Sequence, residues 1–180
     1  MQVFLLSKLL YLGMETKLRA AVPHDLPGIL KIVNHNILHS TAVYDYEPKT
    51  IEYMQAWFTE KQQGSWPVVV ALRNNEVAGY GTYNIFKPKE GYKYTVEHSL
   101  YVSDEFTGKG IGKLLMTELI WLAKQQGLHS MIGYIDADNK DSISFHKKFG
   151  FKEAGKLTRA GFKFNRWLDV ILMELLLTEA

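Results

Sequence analysis

The stretch that most constrains this chain is YTVEHSLYVSDEFTGKGIGK, residues 94–113. Within it an alternating strand carries one acidic residue, Glu97, a polar turn places three glycines at Gly108, Gly110 and Gly112, and an apolar-periodic helix begins at once. At a helix start the first backbone N–H groups lack intrahelical partners and the macrodipole is positive, so an unobstructed turn receives phosphate. Glycine removes the obstruction, and Lys109 and Lys113 add positive charge beside it. No Gly-Lys-Ser/Thr closes the turn as a Walker loop would. The preceding strand is half polar, unlike the buried parallel strand before a dinucleotide fingerprint.

The remaining chain alternates helical and strand periods. Leu18 to Val22 reads as a first strand, and Leu26, Ile29, Leu30, Ile32, Val33 and Ile37 recur with helical spacing after a Pro23-His24-Asp25 cap region. Pro48 to Gln63 reads as a second helix, with Ile51, Met54, Trp57 and Phe58 as its apolar side. Residues 68–72 and 77–86, joined by Asn74-Asn75, predict a hairpin that the Glu97 strand extends into an antiparallel meander. A helix from Ile111 to Gln126, a buried strand from Met131 to Ile135, a short helix from Asp141 to Phe149 and strands 151–157 and 167–176 complete the order. The expectation is an α/β (α+β) domain with a mixed, mostly antiparallel sheet.

Composition narrows the chemistry. With 180 residues, 47% hydrophobic and 22% charged, the chain has enough material for one sizeable core. The net charge is +2 with scattered lysines, which argues against nucleic acid. The absence of cysteine excludes disulfides, thiolate metal sites and a cysteinyl acyl-enzyme, and fits a cytoplasmic setting. The six histidines show no metal-ligand spacing, so no metal is expected. The apolar opening MQVFLLSKLLYLG is too short to span a bilayer, so no membrane association is expected.

The turn Thr107-Gly108-Lys109-Gly110-Ile111-Gly112 resembles the Gln/Arg-x-x-Gly-x-Gly/Ala signature of the GCN5-related N-acetyltransferases (GNAT), and Asn139, Ser142, His146, Gly150 and Phe151 resemble the family's later pattern. Residues 86–102 (FKPKEGYKYTVEHSLYV), 135–139 (IDADN) and 166–173 (RWLDVILM) are similar to the phosphinothricin and methionine sulfoximine acetyltransferases. Thr107 stands where the family usually has Gln or Arg, which removes a side-chain contact and keeps the backbone amides. Met14 opens METKLRAA, which resembles the family's usual start. Residues 1–16 are therefore expected to be an extension or a mis-assigned start, and 17–180 a single N-acetyltransferase domain.

The resemblance implies the GNAT fold, acetyl-CoA as cofactor, and direct transfer of acetyl to the primary amine of a small amino acid or analogue in a ternary complex. It places the cofactor against the backbone of Leu100, Tyr101 and Val102, the pyrophosphate on Gly108, Lys109, Gly110, Ile111, Gly112 and Lys113, and the pantetheine arm near Asn139, Ser142 and His146. Glu97 is the implied base. Strand alternation puts it with Ser99 and Tyr101 on one face and His98 on the other. His146 matches the family's Tyr/His position and is read as an imidazolium acid for the leaving thiolate, against the plainer reading of a surface histidine. Lys87 and Lys89 stand where the phosphinothricin enzymes have substrate-binding arginines, with Phe86 and Tyr92 beside them, and lysine lacks the planar bidentate fork. The loop within residues 35–46 is expected to border the substrate, and a homodimer is expected as in relatives. Two rivals remain: peptide or protein N-terminal acetylation on the same fold, and a non-catalytic acyl-CoA-binding module.

Overall fold

A computed structural model describes residues 16–178; the expectation for residues 1–16 therefore falls almost wholly outside the described residues. Seven strands form one sheet: β1 (Lys17–Ala20), β2 (Val68–Arg73), β3 (Glu76–Ile85), β4 (Thr95–Val102), β5 (Ser130–Asp136), β6 (Lys152–Lys163) and β7 (Arg166–Leu176), in the spatial order β1-β2-β3-β4-β5-β7-β6. All neighbours are antiparallel except β4 and β5. Helices α1 (Leu26–His39) and α2 (Ile51–Gln63) share one apolar cluster with the sheet, while α3 (Ile111–Gln125) centres the other; α4 (Lys140–Lys148) follows β5.

Local chemistry accounts for most boundaries. Asn74 and Asn75 hold φ of 51° and 64°, the left-handed pair that a tight hairpin requires and that asparagine tolerates. Helix α2 starts three residues after Pro48, because Thr50 is its N-cap and accepts a bond from the Tyr53 N–H at 3.3 Å. Helix α3 buries Ile111, Leu115, Met116, Leu119 and Ala123 completely, the spacing of one helical face. Truncating one of these leucines to alanine would cost about 2–5 kcal/mol. Gly127, at φ +69°, ends the helix.

The short pairing of β4 with β5 positions the site. Strands β4 and β5 pair for only three residues each, from Thr95↔Ser130 to Glu97↔Ile132. Past that point they separate, while β4 remains fully paired with β3 on its other edge. The parallel neighbours thus open a cleft through the sheet, beginning at Glu97.

Candidate active site

The backbone at the cleft follows from register. The Phe86 N–H donates to the Thr95 carbonyl and the Ser103 N–H to that of Ala78, so the odd residues of β4 direct their backbone groups at β3. Those of His98, Leu100 and Val102 consequently face the parted edge. This corrects the expectation for Tyr101, whose backbone belongs to the β3 ladder and whose ring packs on the α1–α2 side.

Beyond β4 the glycine turn forms a cradle. Gly108 and Gly110 both hold left-handed φ, 76° and 78°, and a Cβ at either would meet nothing within 4 Å. Gly110 caps α3 without a side-chain bond, and the first helical bond runs from Leu114 to Gly110. The N–H groups of Ile111, Gly112 and Lys113 therefore have no partner inside the helix. The Lys109 ammonium turns back to the Glu105 carbonyl at 2.6 Å and sits over the Phe106 ring, so it does not point into the glycine cradle as a free charge.

A cavity of about 380 Å³ lies along the cleft. On the α1–α2 face it meets Glu97, Ser99, Tyr101, Tyr134 and Asp136; on the other, His98, Asn139, Ser142 and His146. Thr41, Ala42 and Tyr44, from the loop after α1, roof it, and Leu157, Ala160 and Val170 close the far wall. None of its lining residues is a lysine or arginine.

Glu97 is half-buried, and burial raises its carboxyl above the usual range while Lys87 and Lys61 oppose the shift. Phe86, Lys87 and Tyr92 gather at the mouth: Phe86 packs edge-on to Tyr92 at 5.6 Å and stacks on Tyr134 at 6.3 Å, with Lys87 over its ring at 5.2 Å. Lys89 is exposed two residues further out. Tyr134 was not foreseen, because a single tyrosine in a buried strand carries no sign of which residues the pairing of β4 and β5 sets beside it.

His146 differs from expectation, while His98 lies on the face opposite Glu97 as strand alternation predicts. His146 is only 6% exposed, so it is no surface residue. Its Nδ1–H donates to the Ser142 carbonyl at 2.6 Å, and its Nε2 lies 3.1 Å from His98 Nε2. Burial lowers its pKa, so the imidazolium acid read from sequence is replaced by a neutral ring whose two nitrogens are both engaged. Gly133 makes room for the pair, since a Cβ there would sit 2.9 Å from His98 Nε2. Asn139 is the N-cap of α4, accepting from the Ser142 N–H at 3.0 Å, and also lines the cavity.

The chain matches the family model described as the acetyltransferase (GNAT) family over residues 33–151. This chain belongs to the GNAT family. It is 41% identical over 163 residues to an L-methionine sulfoximine/L-methionine sulfone acetyltransferase of Pseudomonas aeruginosa, covering 90% of this chain and 95% of that one. Among solved structures, an N-acetyltransferase from Staphylococcus aureus Mu50 superposes with a TM-score of 0.90 at 44% identity, over 91% of this chain and 99% of that one. The acetyltransferase yncA of Salmonella typhimurium, solved with acetyl-CoA, superposes with a TM-score of 0.90 at 35% identity, over 92% and 96% of the two chains. The fold expectation is thus met, and the protein is an acetyl-CoA-dependent N-acetyltransferase. Its own residues fit the cofactor: a parted strand edge with free amides leads to a glycine cradle at a helix N-terminus.

Proposed function

We propose that the enzyme acetylates the α-amine of a small L-amino acid or analogue with an uncharged side chain, of the methionine sulfone and sulfoximine type, by direct attack in a ternary complex. The observation that carries this reading is the position of Glu97, at the point where β4 and β5 part and at the edge of a roofed cavity. When bound there, acetyl-CoA supplies an activated acetyl thioester. The edge amides of Leu100 and Val102 align the pantetheine arm, and those of Ile111, Gly112 and Lys113 take the pyrophosphate. Asn139 and Ser142 border the arm from α4.

Glu97 removes the proton from the acceptor's ammonium, directly or through one water, which frees the lone pair for attack. A free amide on the β4 edge is the donor available to the thioester carbonyl oxygen as negative charge grows there. Lys87, at the mouth, attracts the acceptor's carboxylate as a point charge. The side chain then enters a cavity lined by the carboxylate of Glu97, by that of Asp136, which Arg166 pairs from outside the lining at 3.6 Å, and by no lysine or arginine. A second anionic group is disfavoured in that setting, which ranks neutral sulfone and sulfoximine side chains above the phosphinate of phosphinothricin. The roof over the cavity favours a free amino acid over a peptide chain. A cytoplasmic location and a homodimer complete the reading; Trp167, Phe164 and Phe162 on the β6–β7 hairpin are exposed and offer an apolar contact for a second copy.

The test is thiol release from acetyl-CoA with methionine sulfone, methionine sulfoximine, phosphinothricin, free amino acids and short peptides. Neutral analogues are expected to give the highest kcat/KM. A preference for peptides would overturn the acceptor class, and light scattering decides the dimer.

A further inference from the structure

The acceptor cavity is roofed by an irregular loop, and a buried lysine far away in sequence holds it. Lys163, at the end of β6, is 2% exposed. Its ammonium donates to the carbonyls of Ser40 at 2.7 Å and Val43 at 2.5 Å, which bracket the roof residues Thr41 and Ala42. Burying an ammonium is costly unless hydrogen bonds replace its water, and lysine's three rotatable donors suit two converging carbonyls. The same hairpin grips the loop elsewhere. The Tyr46 hydroxyl donates to the Phe162 carbonyl, and Tyr44 lies so close to Gly161 that a Cβ there would come within 2.5 Å of the ring. From below, Thr41 donates to Asp136 at 2.5 Å.

We propose that Lys163 is a positioning residue for acceptor recognition: by fixing the carbonyls of Ser40 and Val43 it sets the height of the roof over the amine-binding cavity. It rests on the acceptor assignment above, since it concerns the same cavity. The lysine holds only the acceptor side. The cofactor amides lie on β4 and at the start of α3; of these two elements only β4 reaches the loop, through the side chain of Tyr101, whose hydroxyl donates to the Ala42 carbonyl at 3.4 Å, and not through its amides. Loosening the roof therefore separates acceptor affinity from cofactor affinity, which a general loss of folding does not do.

The experiment compares wild type with Lys163→Met and Tyr46→Phe, measuring KM for the best acceptor, Kd for acetyl-CoA by calorimetry, and Tm. Lys163→Met is expected to raise acceptor KM by about tenfold or more, the scale of losing hydrogen bonds to a charged group. Acetyl-CoA Kd is expected to stay within about twofold. Tyr46→Phe deletes one hydroxyl on an exposed ring and folds independently of the buried lysine's fate; it is expected to raise acceptor KM in the same direction by a smaller factor. If Lys163→Met does not fold, the Tyr46→Phe result decides alone. An unchanged acceptor KM in the variants that fold, or parallel weakening of acceptor and acetyl-CoA, would overturn the proposal. The acceptor class itself fails separately, through the substrate panel, which uses wild type only.

Discussion

The Nε2 atoms of His98 and His146 face each other at 3.1 Å, and the bond that His146 Nδ1–H gives to Ser142 fixes the direction of that contact. In the neutral state His146 Nε2 is an acceptor, so His98 Nε2–H donates to it. His98 Nδ1 is then a bare acceptor, and it has no partner among the described residues. Burial pushes the His98 pKa down to about 3 and lowers that of His146 as well.

This pair makes stability pH-dependent. The unfolded chain binds protons at these histidines as pH falls through 6.5, whereas folded His98 resists until about pH 3 and folded His146 is also held below its ordinary value. Between those limits the unfolded state holds more protons, so stability declines as pH drops, by at most about 1.4 kcal/mol per pH unit for each histidine. His98→Gln keeps an N–H for His146 and removes one titrating ring. Between pH 6.5 and about 5, before most carboxylates titrate, its denaturation midpoint is expected to fall less steeply than that of wild type. Equal slopes in chemical denaturation across this range would show that His98 is not held neutral.

Glu97 is expected to show its role in turnover and in pH. Glu97→Gln should lower kcat by about a hundredfold to ten-thousandfold while acetyl-CoA binding persists. As the proposed base Glu97 would act in its carboxylate form, and burial raises its pKa, so kcat/KM should fall with decreasing pH at a higher value than an ordinary carboxylate gives. Lys87 favours the charged form, so Lys87→Met moves this limb further upward. Added salt should shrink the difference, because Lys87 is exposed and its field is screened. A wild-type rate retained in Glu97→Gln would remove it as the base.

Much of the fold was legible because it is written in local signals. Asn74-Asn75, Gly127 and the switch from period two to period 3.6 at Gly110 mark boundaries without tertiary information. The same alternation sorted Glu97, Ser99 and Tyr101 from His98. Strand β6 extends to Lys163, where the sequence reading stopped at Leu157, because the register with β7 shifts after Leu157 and pairing resumes only at Gly161↔Leu168, an irregularity that breaks the alternating pattern. The site was less legible. Tyr134 lies beside Glu97 only because β5 pairs with β4 and then parts from it, and Lys163 reaches Ser40 only because the hairpin folds over the loop. His146 looked like a free acid because its partner, His98, is 48 residues away.

Tyr134 is expected to tune acceptor choice. Its ring is 39% exposed, stacks on Phe86 and lines the cavity near Glu97. Removing it in Tyr134→Ala takes away an apolar wall, and contacts of that kind set discrimination of about 1–3 kcal/mol. We expect kcat/KM for methionine sulfone to drop by about tenfold, with acetyl-CoA KM unchanged. Steady-state kinetics with both substrates varied would check this. An unaltered preference across the panel would place the acceptor away from this ring.

A second buried lysine lies outside the cavity at the cleft. In the β2–β3 ladder the odd residues of β3 face β2, so the Tyr83 carbonyl calls for an N–H from position 67. That residue is Pro67, which has none. Lys61, 6% exposed on α2, fills the gap by donating to the Tyr83 carbonyl at 3.0 Å, and burial lowers its pKa to about 8. Lys61→Met leaves that carbonyl only a long 3.4 Å contact from the Thr82 hydroxyl, which already donates to Pro67 at 2.7 Å, and should destabilise the fold by about 1–3 kcal/mol. Pro67→Ala restores a backbone N–H at the position the ladder requires. In the double variant this N–H takes over the role of the ammonium, so the loss caused by Lys61→Met should be smaller in the Pro67→Ala background. Strict additivity in a denaturant-based double-mutant cycle would mean that the lysine is not standing in for the missing N–H.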